Sequence, residues 1–269
     1  MRIVVCVKHV PDLQSDRSLD QDGRVVRGED DVLNELDENA VEAALQLAEQ
    51  HGGDVVALTV GPRESVDAVR RALQMGAGEA VHVQDERVAG SDVVGTARVL
   101  AAAVRKLGEH EPVDLVLTGM ASMDGLTAML PAALASCLEL PGLTLASEVS
   151  VEDGAVTITR TLGAGDEVLR APLPAVVSVT DQANEPRYPN FRAMLAAKKR
   201  RVSTWDLDDL GLASTEAEAD GGPEVGVAGA GTRVLAAEAT PPRQQGEVVN
   251  DTGDGGERLA AYLVENKLV

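Results

Sequence analysis

Short β-branched runs alternate along the chain with longer stretches whose apolar residues recur every three or four positions. That alternation predicts parallel strands joined by crossover helices. Ile3–Val7, Val55–Val60, Ala80–Val83, Val113–Leu117 and Ala175–Val179 read as strands. Between the first two, Leu36, Ala40, Val41, Ala44, Leu45 and Ala48 mark one face of a helix, its start signalled by Asn34 with Asp37 three residues on. Further helices are predicted over Ser65–Met75, Val93–Leu107 and about Thr127–Leu138.

From Thr144 to Arg170 the period shortens to two: Val149 and Val151, then Val156 and Ile158, flank Asp153-Gly154, a pair suited to a hairpin turn. After Leu212 the pattern changes again. Ser214–Gly231 is aperiodic, and Pro241-Pro242 can extend neither ladder nor helix. An extended arm is expected there, ending in a helix capped by Asp254 and Glu257 and carrying Leu259, Tyr262 and Leu263 on one face. Such a helix must fold back or bind another chain. The fold class is therefore α/β: a doubly wound, mostly parallel sheet with an inserted antiparallel hairpin and an extended C-terminal arm ending in a helix. The main domain spans 1–212 and the arm 213–269. Sheets of this kind take ligands beyond the carboxyl ends of their strands, where the strand order reverses.

Composition narrows the partners. A formal charge of −20 repels phosphate backbones and anionic membranes, so neither nucleic acid nor a membrane surface is expected as a partner. The four aromatics, Tyr188, Phe191, Trp205 and Tyr262, all lie in the last third, so the first 187 residues must pack Ala, Val, Leu and Ile and offer no ring for stacking. Cys6 and Cys137 sit in apolar runs without metal or disulfide spacing. His9, His51, His82 and His110 share no spacing, although His9 follows the first strand near the expected cleft. The acidic run Glu29-Asp30-Asp31 reads as solvated surface or a helix lead-in rather than a metal site. No metal site is expected. The opening stretch, broken by Lys8 and Pro11, is too short for a signal peptide core, and no run approaches a membrane span; a cytoplasmic location is expected.

Two segments carry candidate chemistry. The loop Thr118–Thr127 follows the fourth strand: Gly119 permits close backbone approach, Asp124 and Thr127 can cap the next helix, and free N–H groups at that helix start form a phosphate seat. The bland alternative is a purely structural pocket. Gly163-Ala164-Gly165 and Gly229-Ala230-Gly231 lack the rest of a dinucleotide fingerprint, and no GxxxxGK stretch exists. The second segment, Arg187–Arg201, holds six Lys or Arg and no acid within an acidic chain. Its Phe191 either covers its own turn or is offered to a partner.

The stretch Arg160–Lys199 resembles the signature region of the electron-transfer flavoprotein beta subunit, with Asn184-Glu185-Pro186-Arg187-Tyr188 and Ala196-Ala197-Lys198-Lys199 as its clearest words. The resemblance implies a heterodimer with an alpha subunit that holds most of the redox-active FAD. It implies an AMP site, or in electron-bifurcating members a second FAD, at Cys6, Asn34, Val60 and Gly119 through Leu130, including Met120, Ala121, Ser122, Asp124, Thr127, Ala128 and Met129. Ala121 and Met129 stand where many members carry Gln, so two side-chain contacts are lost and backbone N–H groups, Asn34, Asp124 and Thr127 take more of the recognition. Glu185, Arg187, Tyr188, Phe191, Lys198 and Lys199 would meet protein partners, Phe191 standing where the family often has a Leu that enters a pocket of the partner dehydrogenase. The implied role is to shuttle electrons from flavin dehydrogenases, as in fatty acid oxidation, toward a quinone oxidoreductase, as an electron carrier subunit with no acid–base or covalent catalyst of its own. A stand-alone adenine-nucleotide-binding module of the stress-protein type is the competing reading.

Overall fold

The computed structural model describes residues 1–15, 18–28, 30–163, 165–212, 225–236, 238, 241, 246 and 248–269. Glu29 of the acidic run, Ala164 of the first Gly-Ala-Gly, and 213–224 and 242–245 of the expected arm lie outside the described residues.

In chain order the strands are β1 (Arg2–Cys6), β2 (His9–Pro11), β3 (Asp31–Leu33), β4 (Asp54–Val60), β5 (Glu79–Val83), β6 (Leu115–Gly119), β7 (Gly142–Ala146), β8 (Glu148–Glu152), β9 (Ala155–Leu162), β10 (Gly165–Pro172), β11 (Ala175–Val179) and β12 (Val202–Trp205). The helices are α1 (Glu35–His51), α2 (Val66–Met75), α3 (Val93–Gly108), α4 (Leu130–Leu138), α5 (Phe191–Ala197) and α6 (Gly255–Glu265), besides one short turn at Gly226–Gly229. Seven strands form one sheet in the order β12-β5-β4-β1-β6-β11-β7, and every pairing within it is parallel. The five expected strands are its centre. Its two edges, β7 and β12, were not marked by the hydrophobic pattern.

Strand β1 is apolar on both faces because both are covered. Ile3, Val5 and Val7 pack with α1 and α2 residues such as Val41, Leu45 and Leu73. Val4 and Cys6 face Ala97, Leu100, Ala101 and Val104 of α3 and Leu134 of α4. Alanines at these contacts let the helices lie close to the sheet without rings to fill space. Trp205, on the edge strand β12, lies beneath the Lys106 ammonium at 5.3 Å.

The hairpin is present and larger than expected. β8 and β9 pair antiparallel across Asp153 and Gly154, whose φ angles of 50° and 71° give the left-handed two-residue turn that such pairs favour. β10 then adds to β9 as a third strand. A separate antiparallel pair joins β2 to β3, with Pro11 at its end, where the missing N–H is tolerated.

Two expected helix starts differ. α4 begins at Leu130, not Thr127, and no side chain caps it. The loop before it is held instead by left-handed Leu126 and Ala128, with φ of 49° and 51°. Asn34 occupies the N-cap position of α1, but its side chain takes none of the helix's backbone N–H groups; its amide also reaches the 120–124 loop. The chain divides into two compact units, Met1–Leu235 and Ala236–Val269, with α6 in the second. Asp254 likewise precedes α6 without capping it; Asp251 Oδ1 takes the Gly253 and Gly255 N–H groups at 2.7 and 2.8 Å. Among the described residues no helix is long and apolar enough to cross a membrane, and no group of three His, Cys, Asp or Glu could hold a metal ion.

Candidate functional site

The chain runs from β1 outward to β4 and β5, then returns to β6 on the other side of β1. This reversal leaves a crevice beyond the carboxyl ends of β1, β4 and β6. A cleft of about 1070 Å³ lies there, at the upper end of the roughly 300–1,000 Å³ usual for small-molecule sites. Cys6 and Val60 line it from the ends of β1 and β4, and Gly119, Met120, Ala121, Ser122, Asp124, Thr127, Ala128 and Leu130 from the loop after β6. Of the residues expected there, Asn34, Met123, Leu126 and Met129 are not on the lining. Asn34 lies behind it and Met129 faces solvent.

Asn34 has no solvent exposure and works as a tie. Its amide donates to Ala121 O, and its carbonyl accepts the Met123 N–H, each at 3.0 Å. Truncation to Ala removes both bonds from a buried position, at a cost of about 1–3 kcal/mol. We expect Asn34→Ala to lower the melting temperature and to speed amide exchange across 120–124, with exchange in α3 unchanged.

Asp124 was expected as a cap and instead holds a half-exposed lysine with a buried carboxylate. Lys8 Nζ reaches both its carboxylate oxygens at 2.8 Å, and Arg27 stands at 4.0 Å. Burial alone would raise the Asp124 carboxyl, but the Lys8 charge and hydrogen bond, with Ser122, hold it below the usual range. Cys6 is the reverse case: burial, with the nearby Asp37 charge, pushes its thiol up to about 12, so it is an inert part of the floor. Left-handed Ala128 is followed by right-handed Met129, a geometry that turns successive backbone N–H groups to one side and favours an anion.

Several cleft residues carried no recognised signal. Arg24, Arg27 and Arg63 bring positive charge to the rim, and Asp85, Ser91 and Asp92 form the far wall. Asp92 caps α3 through Val94 and Gly95 N–H groups at 3.1 and 2.9 Å; Ser91-Asp92 before the apolar run was a readable capping signal. The same wall holds a later segment. Gly226 N–H donates to Ser91 Oγ at 2.6 Å and Gly231 N–H to Asp92 Oδ2 at 2.9 Å. Gly226, at φ 71°, lies so close to Arg87 O that no Cβ fits, and a Cβ on Gly90 would come within 2.5 Å of Val227.

The cationic segment is a second surface. Asn190 Oδ1 caps α5 by accepting the Ala193 N–H at 2.9 Å. Phe191 is 73% exposed and Tyr188 86%, so Phe191 does not cover its own turn. Glu185, Lys198 and Lys199 are exposed too. Arg187 is not free: it bonds Glu42 at 2.7 Å and Glu49 at 2.6 Å on α1, while Asn39 and Asn184 exchange side-chain to backbone bonds at 2.8 and 3.0 Å. These contacts fasten the loop to α1. Arg71 of α2 lies over the Tyr188 ring at 5.5 Å.

The model of the electron transfer flavoprotein domain matches residues 22–210. The electron transfer flavoprotein subunit beta of Mycobacterium leprae is 43% identical, over 99% of both chains. Subunit CarD of the caffeyl-CoA reductase-Etf complex of Acetobacterium woodii is 32% identical over 98% of this chain and 97% of its own. Protein FixA of Azorhizobium caulinodans is 37% identical over 79% of this chain and 77% of its own.

Proposed function

The chain belongs to the electron transfer flavoprotein subunit beta family, and from that premise we propose that it forms half of a heterodimeric electron carrier, with a structural AMP in the cleft and the redox-active FAD mainly on an alpha subunit. The observation that carries the AMP reading is that, among the described residues, the cleft lining holds no aromatic side chain, which leaves an isoalloxazine no ring to stack on. The Ala128–Met129 backbone and the start of α4 would seat the phosphate. Arg24 and Arg63 add charge at the rim.

Electrons would pass from flavin dehydrogenases, including those of fatty acid oxidation, toward a quinone oxidoreductase. The exposed ring of Phe191, beside Tyr188, Glu185, Lys198 and Lys199, would be the landing surface, its cations steering acidic partners. The end of the arm, with its terminal helix α6, would pack on the alpha subunit. Two unpaired cysteines fit a cytoplasmic setting.

The cleft volume favours one second reading, a dinucleotide such as FAD in an electron-bifurcating member. Co-expression with an alpha chain and chemical analysis of the extracted nucleotides decides between them. One FAD and one AMP per heterodimer are expected. Two FAD and no AMP would replace the AMP reading, and failure to associate with any alpha chain would overturn both.

A further inference from the structure

One carboxyl group on the floor of the cleft touches three elements. Asp37, in the first turn of α1, is buried, and its Oδ2 accepts the Lys8 N–H just beyond β1 at 2.8 Å. Its other oxygen lies against Gly119 at the end of β6: a Cβ there would stand 2.5 Å from Oδ1 and 2.7 Å from Leu36 O. β1 and β6 are adjacent strands at the point where the sheet order reverses, so this side chain spans the crevice floor. It has no cation of its own, because the Lys8 ammonium turns away to Asp124 and Ser122.

We propose that Asp37 is a positioning residue for the nucleotide: its carboxylate clamps the ends of β1 and β6 to the first turn of α1, sets the width of the floor, and so makes nucleotide affinity follow the charge of this one group. The proposal rests on the cleft being a nucleotide site.

The clamp works near its own midpoint. Burial pushes the Asp37 carboxyl up to about 7, against the opposing pull of hydrogen bonds from Asn34, Lys8 and Gly119 and of the Lys8 charge. Of the groups around it, Cys6 stays a thiol through neutrality, and the Asp124 carboxyl is held below its usual range by the Lys8 charge and hydrogen bond, with Arg27 at 4.0 Å. Glu38, next along α1, is paired with Arg71 at 3.0 Å.

Two effects of pH then run in opposite directions. The folded carboxyl titrates near 7 rather than at 3.8, so between those values the folded chain binds more protons than the unfolded one. Asp37's contribution to stability is therefore full below 3.8 and is lost as pH rises through about 7. Nucleotide affinity rises over the same window because the clamp needs the carboxylate. A general loosening of the fold would move both in the same direction.

Calorimetric titration of the full chain with adenosine, which has no phosphate to titrate, tests this. Affinity is expected to fall about tenfold on going from about pH 8 to about pH 6, since about one-tenth of a group remains ionised one unit below its midpoint. Asp37→Asn should bind weakly and without this slope. The wild-type profile needs no variant, so a misfolded mutant leaves the proposal testable. A flat wild-type profile, or a wild-type slope in Asp37→Asn, overturns the clamp. Absence of both adenosine and AMP binding at every pH overturns the nucleotide reading itself, and the clamp with it.

Discussion

Phe191→Ala is expected to weaken docking of a flavin dehydrogenase by about 1–3 kcal/mol, read as a roughly 5- to 150-fold rise in the apparent KM for that partner. The ring is 73% exposed at the first residue of α5, so its removal opens no cavity in the chain. Melting temperature and bound nucleotide should stay unchanged. Electron transfer assayed against partner concentration, alongside thermal unfolding, checks both halves. A drop in melting temperature of several degrees with no change in KM would return the ring to a packing role.

Arg187→Ala should behave differently. Its guanidinium holds Glu42, whose side chain is 5% exposed, and Glu49, and so ties the landing loop to α1. Burial opposes ionisation of Glu42, but the Arg187 bonds overcome it and hold its carboxyl below the ordinary 4.5. Removing the arginine leaves a buried carboxylate without its cation and costs about 2 kcal/mol, discounted because Arg187 itself is one-third exposed. We expect a melting temperature lower by roughly 4–8 °C at neutral pH, together with weaker partner docking. The sign with pH follows from the lowered carboxyl: the pair stabilises above 4.5 and its contribution is lost as pH falls below that value. The gap between wild type and variant should therefore narrow in acid. An equal gap at pH 7 and below 4 would assign the loss to packing of the aliphatic stem. The two substitutions separate the residue that meets the partner from the residue that aims it.

The central strands could be read from the chain because both their faces are covered, which turns each into an unbroken apolar word such as Val176-Val177 in β11 or Val4-Val5 in β1. The edges could not. β7 reads Gly-Leu-Thr-Leu-Ala and β12 reads Val-Ser-Thr-Trp, half-covered mixtures whose pairing depends on neighbours distant in sequence. β2 and β3 were hidden for the same reason: His9 meets Leu33 across a long intervening loop. At the cleft, the loop after β6 announced itself through Gly119 and a strand end, whereas Lys8 and Asp37 joined it only through tertiary contact. The caps assigned to Asn34, Asp124 and Thr127 failed because the first two found better partners. Asn34 closes the loop through Ala121 and Met123, and the buried Asp124 carboxylate takes the Lys8 ammonium. A local pattern cannot weigh such distant competitors.

A chain with a single indole also has a built-in reporter. Trp205 stands on the edge strand β12, beneath Lys106, and no second tryptophan contributes to red-edge emission. Fluorescence excited there comes from one known place, the β12 and α3 flank. Energy transfer from that one donor to a flavin on a companion subunit would give a distance instead of an average.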